Sequence, residues 1–491
     1  MRPPFALLVL LPLAACAGPR PLAPSSANVL APHAWRDAPA IEGTALERDW
    51  WNAFGDPVLS GLVVRALANN PDIAIAAARV EEARALFHLT RAQQLPNISA
   101  SLSASEQRSV NPFGLGVDQT AGQAQLNIAY DLDLFDRLRN ASAAARASLL
   151  GTAAAQDGVR LAVASSTAEG YIILRSLDAR LAVLRQTLEA RSDSLTLATR
   201  RFEAGYASQL DLEQAKAEYR ATEQLIPLVE LAIRRRENGL SLLLGEMPGA
   251  TVRGVGLEQI ATPAIAPTMP SELVRRRPDI AQAEQQLVAS DKSLDAARAA
   301  FLPSIQLGAS GGTVASSLIG DPVSIFSLGG SLLAPIFDSG RLRSQAQGAA
   351  ARRDQAAYAY QRTVLAAFRE VENALADTQR TAEQERSIIA QRTALERALA
   401  IATNRYGAGY SPYLEQLDAQ RNLLSAELAL IQTRTDRLTS AVRLYQALGG
   451  GWRGVDLHIA AAPSRMPSSP PATTPVQPGV TPMAYALHHK P

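Results

Sequence analysis

Apolar and polar residues alternate along two stretches in the first third of the chain. The apolar positions are Ile98, Ala100, Leu102, Ala104, Ala124, Leu126, Ile128, Tyr130, Leu132 and Leu134. Most residues between them are Ser, Gln, Asn or Asp, and a loop at 111–118 separates the two stretches. A period of two predicts a β-hairpin with one apolar and one polar face. The pattern returns more weakly, with many Gly and Ser, at 304–316 and 326–337.

Most of the remaining chain has helical spacing. Residues 138–201 contain no Pro, which predicts an unbroken helix about 95 Å long. Leucines within it follow the 3-4 spacing of a coiled coil, at Leu174, Leu177, Leu181, Leu184, Leu188 and Leu195. The last helix holds heptad spacing through Leu414, Leu417, Arg421, Leu424, Leu428, Ile431, Thr435, Leu438, Val442 and Tyr445.

Prolines predict where two other helices end or bend. A first helix is expected to open at Asp49-Trp50-Trp51 and to run toward Leu95, where Pro96 stops it. Pro227 predicts a kink or break in the helix between Leu210 and Leu244.

The chain is internally duplicated. The segment RFEAGYASQLDLEQA at 201–215 returns as RYGAGYSPYLEQLDA at 405–419, and its Gly-Tyr pairs lie 204 positions apart. Each copy places a flexible Gly-Tyr between two helix-forming segments, which predicts the tip of a helical hairpin at Gly205-Tyr206 and at Gly409-Tyr410. We therefore expect two equivalent repeats, at 45–250 and 251–455.

Composition favours long packed helices over a thick globular core, because 47% of residues are hydrophobic and only 5% are aromatic. The formal net charge of +2 gives no indication of a nucleic-acid partner. The five histidines are scattered, and no metal-ligand spacing or nucleophile motif occurs. We therefore expect neither an enzyme nor a bound cofactor.

The amino terminus resembles an export signal. An apolar run of about nine residues, too short to span a bilayer, ends in Leu-Ala-Ala-Cys at 13–16. This sequence resembles the lipobox of bacterial lipoproteins, which predicts a signal peptide at 1–15 and lipidation of Cys16; an ordinary signal peptide with an incidental cysteine is the alternative. A Pro/Ala/Ser-rich tether is expected at 16–44, and a disordered Pro/Ser/Thr-rich tail at 456–491.

The strands fit two environments. A soluble sandwich hairpin would show the same alternation, but the export signal and the uniformly small or hydrophilic polar face favour strands between lipid and a water-filled lumen. Four strands cannot close a barrel, and hydrocarbon does not tolerate an open sheet edge. The chain must therefore oligomerise, or its strands are not in a membrane.

Several motifs, in their order and in their doubling, resemble the outer membrane efflux protein family. They are the lipobox, Asp-Trp-Trp at 49–51, Asn-Pro-Asp-Ile and Arg-Pro-Asp-Ile at 70–73 and 277–280, Leu-Pro-x-Ile at 95–98 and 302–305, Asp-Leu-Phe-Asp-Arg-Leu-Arg at 133–139, both Gly-Tyr tips, and Leu-Gly-Gly-Gly-Trp at 448–452. The resemblance is narrower to the NodT-type lipoproteins that serve resistance-nodulation-division (RND) pumps.

The resemblance implies a mainly α fold with a membrane β-barrel part. Each chain of a homotrimer would supply four strands to a twelve-stranded barrel in the outer-membrane lipid, and duplicated coiled-coil hairpins would form an α-barrel in the periplasm. A periplasmic adaptor (membrane fusion) protein and an inner-membrane RND-type pump would dock at the tips, around Gly205, Tyr206, Gly409 and Tyr410.

Acidic residues near the second tip suggest a gate. Glu415 and Asp418 are three positions apart, hence on one helix face, and in several copies would form a ring that favours cations. The resemblance implies a network that holds this entrance shut, with Asp211, Arg405, Tyr406, Glu415 and Asp418 as candidates by position. Ser411 stands where a basic lock residue occurs in part of the family. The alternative is that the acids are solvated residues favoured by the helix dipole.

The sequence thus predicts a passive outer-membrane conduit that carries drugs or other small molecules away from a pump. One alternative is the same channel serving a protein-secretion exporter of type I. The other is a lipid-anchored coiled-coil scaffold of the envelope without a pore, which has no need of lipid-facing strands.

Overall fold

The computed structural model describes residues 19–36, 47–110, 112–267, 269–452 and 454. The first repeat contains α1 (Pro57–Asn69), α2 (Pro71–Ala92), β1 (Asn97–Val110), β2 (Gly116–Leu132), α3 (Arg137–Glu203), α4 (Gln209–Glu223) and α5 (Leu225–Leu243). The second repeat contains α6 (Pro270–Arg276), α7 (Pro278–Ala299), β3 (Ser304–Ser316), β4 (Val323–Leu333), α8 (Arg341–Gly407) and α9 (Tyr413–Ala447). Short 3₁₀ turns lie at Ser25–Ala27, Trp50–Phe54 and Leu257–Gln259.

The expectation of one helix from Asp49 to Leu95 is wrong. Trp50–Phe54 is a 3₁₀ turn, and the helical part is divided between α1 and α2 at Asn70. Pro71 has no N–H to continue α1 and disfavours helical backbone at the residue before it. Asn70 has extended backbone, and its side-chain oxygen accepts from Asp72 N at 2.8 Å, which caps the new helix.

The four strands form one antiparallel sheet in the order β1-β2-β3-β4. The predicted alternation is confirmed, since Ile98 pairs with Ile128 and Ala100 with Leu126. The last strand, expected at 326–337, instead spans Val323–Leu333. Pro335 removes a backbone donor just beyond this end, so the pairing stops before Phe337.

The two faces of the sheet differ in chemistry. The apolar face includes Ile98, Leu102, Leu126, Phe326 and Leu328, all exposed in the isolated chain, with Phe326 89% exposed. On the other face small polar side chains bond to one another across strands: Asn127 Nδ2 donates to Ser101 Oγ at 3.2 Å, and the Ser310 and Ser327 hydroxyls lie 2.8 Å apart. This is the division expected of a sheet between lipid and water.

The predicted long helix is confirmed and occurs twice. Helices α3 and α8 each contain 67 residues, so each is about 100 Å long. The break expected near Pro227 is also confirmed: α4 and α5 are separated at Gln224, and Pro227 is the third residue of α5. Within the described residues, no helix is both long enough and apolar enough to span a membrane.

The heptad pattern of the last helix is realised in part. Leu417, Leu438 and Val442 are buried, whereas Leu414 is 56% exposed. Helix α9 packs against both α8 and α3, so it buries more than a single seam along its middle. Near the tip, neither helix covers the face of α9 that carries Leu414.

The main core lies where the two repeats meet, far from the tips. The ring of Trp50 stacks on Tyr445 at a centroid distance of 5.1 Å, and Phe54 is fully buried beside them. Asp56 accepts from Val58 N at 2.8 Å as the cap of α1 and from the Tyr171 hydroxyl at 2.7 Å. The Tyr171 oxygen in turn accepts from Gly254 N at 2.8 Å. Burial and the Asp56 hydrogen bond raise the pKa of Tyr171, so it remains a neutral donor.

Part of the predicted tether makes extensive contacts. Arg20 pairs with Asp291 at 2.6 Å and Asp295 at 2.8 Å on α7, and the buried Arg353 of α8 donates to Pro21 O and Leu22 O. Trp35 is buried, with its ring centroid 5.8 Å from that of Phe368. We call residues 19–36 the strap. Cys16, the predicted signal peptide at 1–15 and the predicted tail at 456–491 lie outside the described residues.

Replacing Tyr171 by Phe should lower the free energy of unfolding by about 1–3 kcal/mol, because it leaves the half-buried Gly254 N–H without an acceptor and removes a donor from the buried Asp56. The midpoint of urea unfolding, followed by helical circular dichroism in detergent, measures this change. Tyr410→Phe, which removes an exposed hydroxyl, is the matched control and should stay within about 0.5 kcal/mol of the unsubstituted protein. Equal midpoints for the two variants would contradict this role.

Candidate functional site at the two hairpin tips

Both hairpin tips are built by the same backbone motif. Gly205 and Gly409 have φ of 79° and 82°, in the left-handed region that favours glycine. Beyond each glycine the next amide returns to the helix, with Tyr206 N donating to Arg201 O at 2.8 Å and Tyr410 N to Arg405 O at 2.9 Å. This Schellman arrangement ends α3 and α8. It leaves Tyr206 and Tyr410 86% and 81% exposed.

The two tips are in direct contact. The Arg201 guanidinium at the end of α3 donates to Tyr406 O at 2.9 Å and to Gly407 O at 2.8 Å at the end of α8. Its Cζ also lies 4.5 Å from the centroid of the Tyr406 ring. The two repeats therefore end side by side. The guanidinium of one helix bonds to the last carbonyl oxygens of the neighbouring helix and stacks over its tyrosine ring.

An aromatic pair lies beneath the second tip. The Tyr406 and Tyr413 rings are 5.4 Å apart between centroids, and both side chains are buried. Burial, then the neighbouring Tyr406 and Glu218, raise the pKa of Tyr413 to about 12. The Tyr406 hydroxyl is buried without a hydrogen-bond partner among the described residues.

The other four predicted gate residues, besides Tyr406, are divided among three local arrangements. Asp211 accepts from Ser208 N at 3.1 Å, while Ser208 Oγ accepts from Asp211 N at 3.2 Å, so Asp211 belongs to the capping box of α4. Arg405 and Glu415 approach to 3.8 Å, and both are about half exposed. Asp418 accepts from Asn422 Nδ2 one turn further along its own helix, at 3.1 Å.

Helix α9 has two distinct faces near the tip. Leu414, Glu415 and Asp418 lie on an exposed face, whereas Tyr413, Gln416 and Leu417 are buried. The structure thus places Glu415 and Asp418 on one open surface, as their spacing predicts, but does not join Asp211 or Tyr406 to them.

Sequence reasoning missed a largely buried ionic cluster more than three helical turns from the tips. Arg191 of α3 approaches the Glu218 carboxylate of α4 at 2.9 Å and also donates to Glu218 O at 2.8 Å and Thr222 Oγ1 at 2.5 Å. Arg421 of α9 donates to the same carboxylate through Nε at 2.8 Å and through Nη2. Burial lowers the pKa of Arg191, and the hydrogen bond to Glu218 raises that of Arg421. We call Arg191, Glu218 and Arg421 the ionic triad.

A polar contact runs beside the triad. Ser194 Oγ of α3 accepts from Gln420 Nε2 at 3.1 Å and lies 3.5 Å from Gln416 Nε2. Gln416 and Gln420 each keep a buried side-chain oxygen without a partner among the described residues. One signal of this region was available in the sequence: Arg421 puts a charge at a heptad position that should be apolar.

Comparison with known proteins identifies the family. The profile of the outer membrane efflux protein family matches residues 62–246 and 269–450, one segment in each half of the chain. The chain belongs to the outer membrane efflux protein family. Its members are efflux channels, and the predicted family is therefore confirmed.

Relatives match over nearly their full length. The chain is 36% identical to outer membrane protein OprJ of Pseudomonas aeruginosa, over 91% of this chain and 95% of OprJ. It is 35% identical to the toluene efflux pump outer membrane protein TtgI of Pseudomonas putida, over 81% of this chain and 86% of TtgI. The solved outer-membrane channel OprN superposes with a TM-score of 0.82 at 31% identity, over 89% of this chain and 99% of OprN.

These matches establish the general function of the chain. The chain is an outer-membrane channel component of an efflux system, as the sequence predicted. The predicted fold class is also confirmed, with a mainly helical chain and four strands in one sheet. The comparisons identify no gate, so the candidate gate residues stay a prediction.

Replacing Ser208 or Asp211 by Ala should destabilise the first turn of α4 by about 1 kcal/mol, because each change breaks the same capping box. Hydrogen exchange of the amides at 209–212 should accelerate, and the double variant should add little to either single change. Ser192→Ala, at an exposed position inside α3, should leave this exchange unchanged. Unchanged exchange at 209–212 in Asp211→Ala would show that the carboxylate acts elsewhere.

Proposed function

We propose that this channel passively conducts drugs or other small molecules, delivered by an inner-membrane RND-type pump and a periplasmic adaptor, to the cell exterior. The observation that carries the proposal is an amphipathic four-stranded sheet continuous with two 67-residue helices in one chain. The sheet suits a wall between lipid and water, and the helices extend that wall by about 100 Å. The toluene efflux named for TtgI supports a small-molecule cargo.

The working channel in this proposal is a homotrimer. In hydrocarbon the open edges of β1 and β4 would leave backbone groups unpaired, and pairing β4 of one protomer with β1 of the next removes both edges. Three chains then give a closed barrel of twelve strands in the outer-membrane lipid. The exposed apolar side chains of the sheet support its contact with lipid.

The entrance in this proposal lies at the hairpin tips. Glu415 and Asp418 occupy the exposed face of α9, where three copies would set six carboxylates around the axis and favour cations over anions. Arg405, half-exposed and 3.8 Å from Glu415, offsets part of the repulsion among them. Asp211 and Tyr406 support the tip through the capping box and the aromatic pair. The exposed Tyr206 and Tyr410, beside Gly205 and Gly409, are suited to contact the adaptor.

The channel is anchored by lipid at Cys16 in this proposal. Pro19 O accepts from Arg298 at 3.0 Å, and Arg298 lies in the last turn of α7, shortly before β3 begins at Ser304. The described part of the strap therefore begins near the level at which the helices become strands, which supports an acyl anchor on the segment before it. An acyl chain at that level enters the membrane next to the barrel.

The two predicted repeats, 45–250 and 251–455, each contribute one strand hairpin and one helical hairpin to the conduit. The proposal includes no catalytic step, because the partner pump supplies the energy. Export of proteins through the same channel is distinguished by the pump that copurifies with it.

Single-channel recording in planar bilayers tests the pore and the acidic entrance together. The purified protein should show low, cation-preferring conductance. The double variant Glu415→Ala/Asp418→Ala should conduct more with weaker cation preference, because it removes the carboxylates that hold cations at the entrance. Asp436→Ala, at an exposed position on the same helix, is the control and should change neither property.

The outcomes separate the hypotheses. If the double substitution changes neither conductance nor cation preference, the protein is still a channel, but its entrance is not lined by Glu415 and Asp418. A folded oligomer that forms no pore supports the scaffold alternative.

Mass spectrometry of the mature protein tests the anchor. The amino-terminal peptide should begin at Cys16 and carry the mass of a diacylglyceryl group and an amide-linked acyl chain, whereas Cys16→Ser should carry no lipid. Arg20→Ala, which disturbs the strap and not the lipobox, should remain lipidated. A mature chain that keeps a free Cys16 thiol, or starts at another residue, would contradict lipidation.

A further inference from the structure

Glu218 connects three helices that belong to both hairpins. Its carboxylate lies between Arg191, from the other helix of its own hairpin, and Arg421, from α9 of the second repeat. The Glu218 side chain is 10% exposed and that of Arg191 is 5% exposed, so both charges are largely removed from water. Two cations on one buried carboxylate form a strong and directional contact.

The two arginines hold Glu218 in different ways. Arg191 bonds to the carboxylate, to the Glu218 carbonyl and to the Thr222 hydroxyl, all within the first hairpin. If α9 moved away, Glu218 would therefore keep a buried counter-ion. The Arg421 side chain is 54% exposed and would enter water. The Glu218–Arg421 contact can therefore break without leaving a bare buried charge, which makes it reversible.

Neither predicted charge contact at the tips joins the two hairpins in this way. Asp211 is held by Ser208 of its own loop, and Arg405 pairs with Glu415 within the second hairpin. The described polar contacts near the tips that do cross between hairpins are the Arg201 bonds to backbone carbonyls, the contacts of Gln416 and Gln420 with Ser194, and the Glu218–Arg421 pair. Among these, Glu218–Arg421 alone joins opposite charges.

From this geometry we infer that Glu218 and Arg421 form the latch that holds α9 against the first hairpin and keeps the entrance narrow. The inference rests on the proposed channel function and its entrance at the tips. Glu218 is a positioning residue: it acts through α9 and does not line the conducting path. Widening the entrance moves α9 away from α3 and breaks the Glu218–Arg421 contact, while Arg191 and Glu218 stay together.

Planar-bilayer recording of Arg421→Gln and Glu218→Gln tests the latch. Each substitution should raise the open probability by about threefold to fivefold, the effect of losing a half-exposed charge pair of about 1 kcal/mol. Cation preference should persist, because Glu415 and Asp418 are intact. The double variant should open no more readily than Arg421→Gln, since both changes break one contact, and Arg421→Lys should restore part of the closure.

Arg220→Gln is the matched control, since Arg220 lies on α4 and pairs with Glu223 of the same helix at 2.6 Å. It should leave open probability unchanged. Arg421→Gln keeps the assay usable should Glu218→Gln fail to fold, because Arg421 is half exposed. A protein without any pore contradicts the proposed function. The latch alone is overturned if Arg421→Gln leaves the open probability unchanged while Glu415→Ala/Asp418→Ala raises the conductance. Additive effects of Glu218→Gln and Arg421→Gln in their double variant would also overturn it.

Discussion

Inside a lipid bilayer, every backbone N–H and C=O group needs a partner within the protein. The sheet meets this requirement between its strands and leaves it unmet along the outer edges of β1 and β4. A single chain is thus incomplete as a membrane structure, and other copies have to supply the missing bonds. The strands lead within a few residues into α3 and α8, so the closure of the barrel also fixes where the long helices begin. The arrangement of the helical conduit follows from hydrogen bonding in the sheet.

Duplication gives the two repeats the same plan, but their tips differ in chemistry. The first repeat has a capping box at Ser208 and Asp211, whereas α9 begins after Pro412 without a side-chain cap. The exposed acids Glu415 and Asp418 occur on the second repeat, and the buried acid Glu218 on the first. One hairpin is thereby suited to line the entrance, and the other to hold it in place.

The sequence predicted those features that depend on local periodicity. Alternation at 98–104 predicted strands and their faces, and the absence of Pro from 138–201 predicted an unbroken helix. Gly205 and Gly409 predicted the tips, because left-handed backbone favours glycine. The partner of a charged side chain depends instead on which helices lie side by side. The resemblance made Asp211 a candidate for the lock, whereas in the structure Asp211 caps its own helix α4. Arg421 pairs instead with Glu218, one heptad further along α4.

Ionic contacts along the helices predict that the helices separate most easily at the tips. In the main core, Arg277 is buried and donates to Ala447 O at 2.9 Å and Glu370 at 2.7 Å, joining the start of α7 to α8 and to the end of α9. The buried Arg353 holds the strap. Removing the partners of such cations would leave a charge stranded away from water, which opposes separation of these helices. At the tips, Arg421 is half exposed, and its separation from Glu218 leaves no buried charge without a partner. The resistance of the helices to separation therefore decreases from the core to the tips, so the entrance can open while the helices around the core stay close-packed.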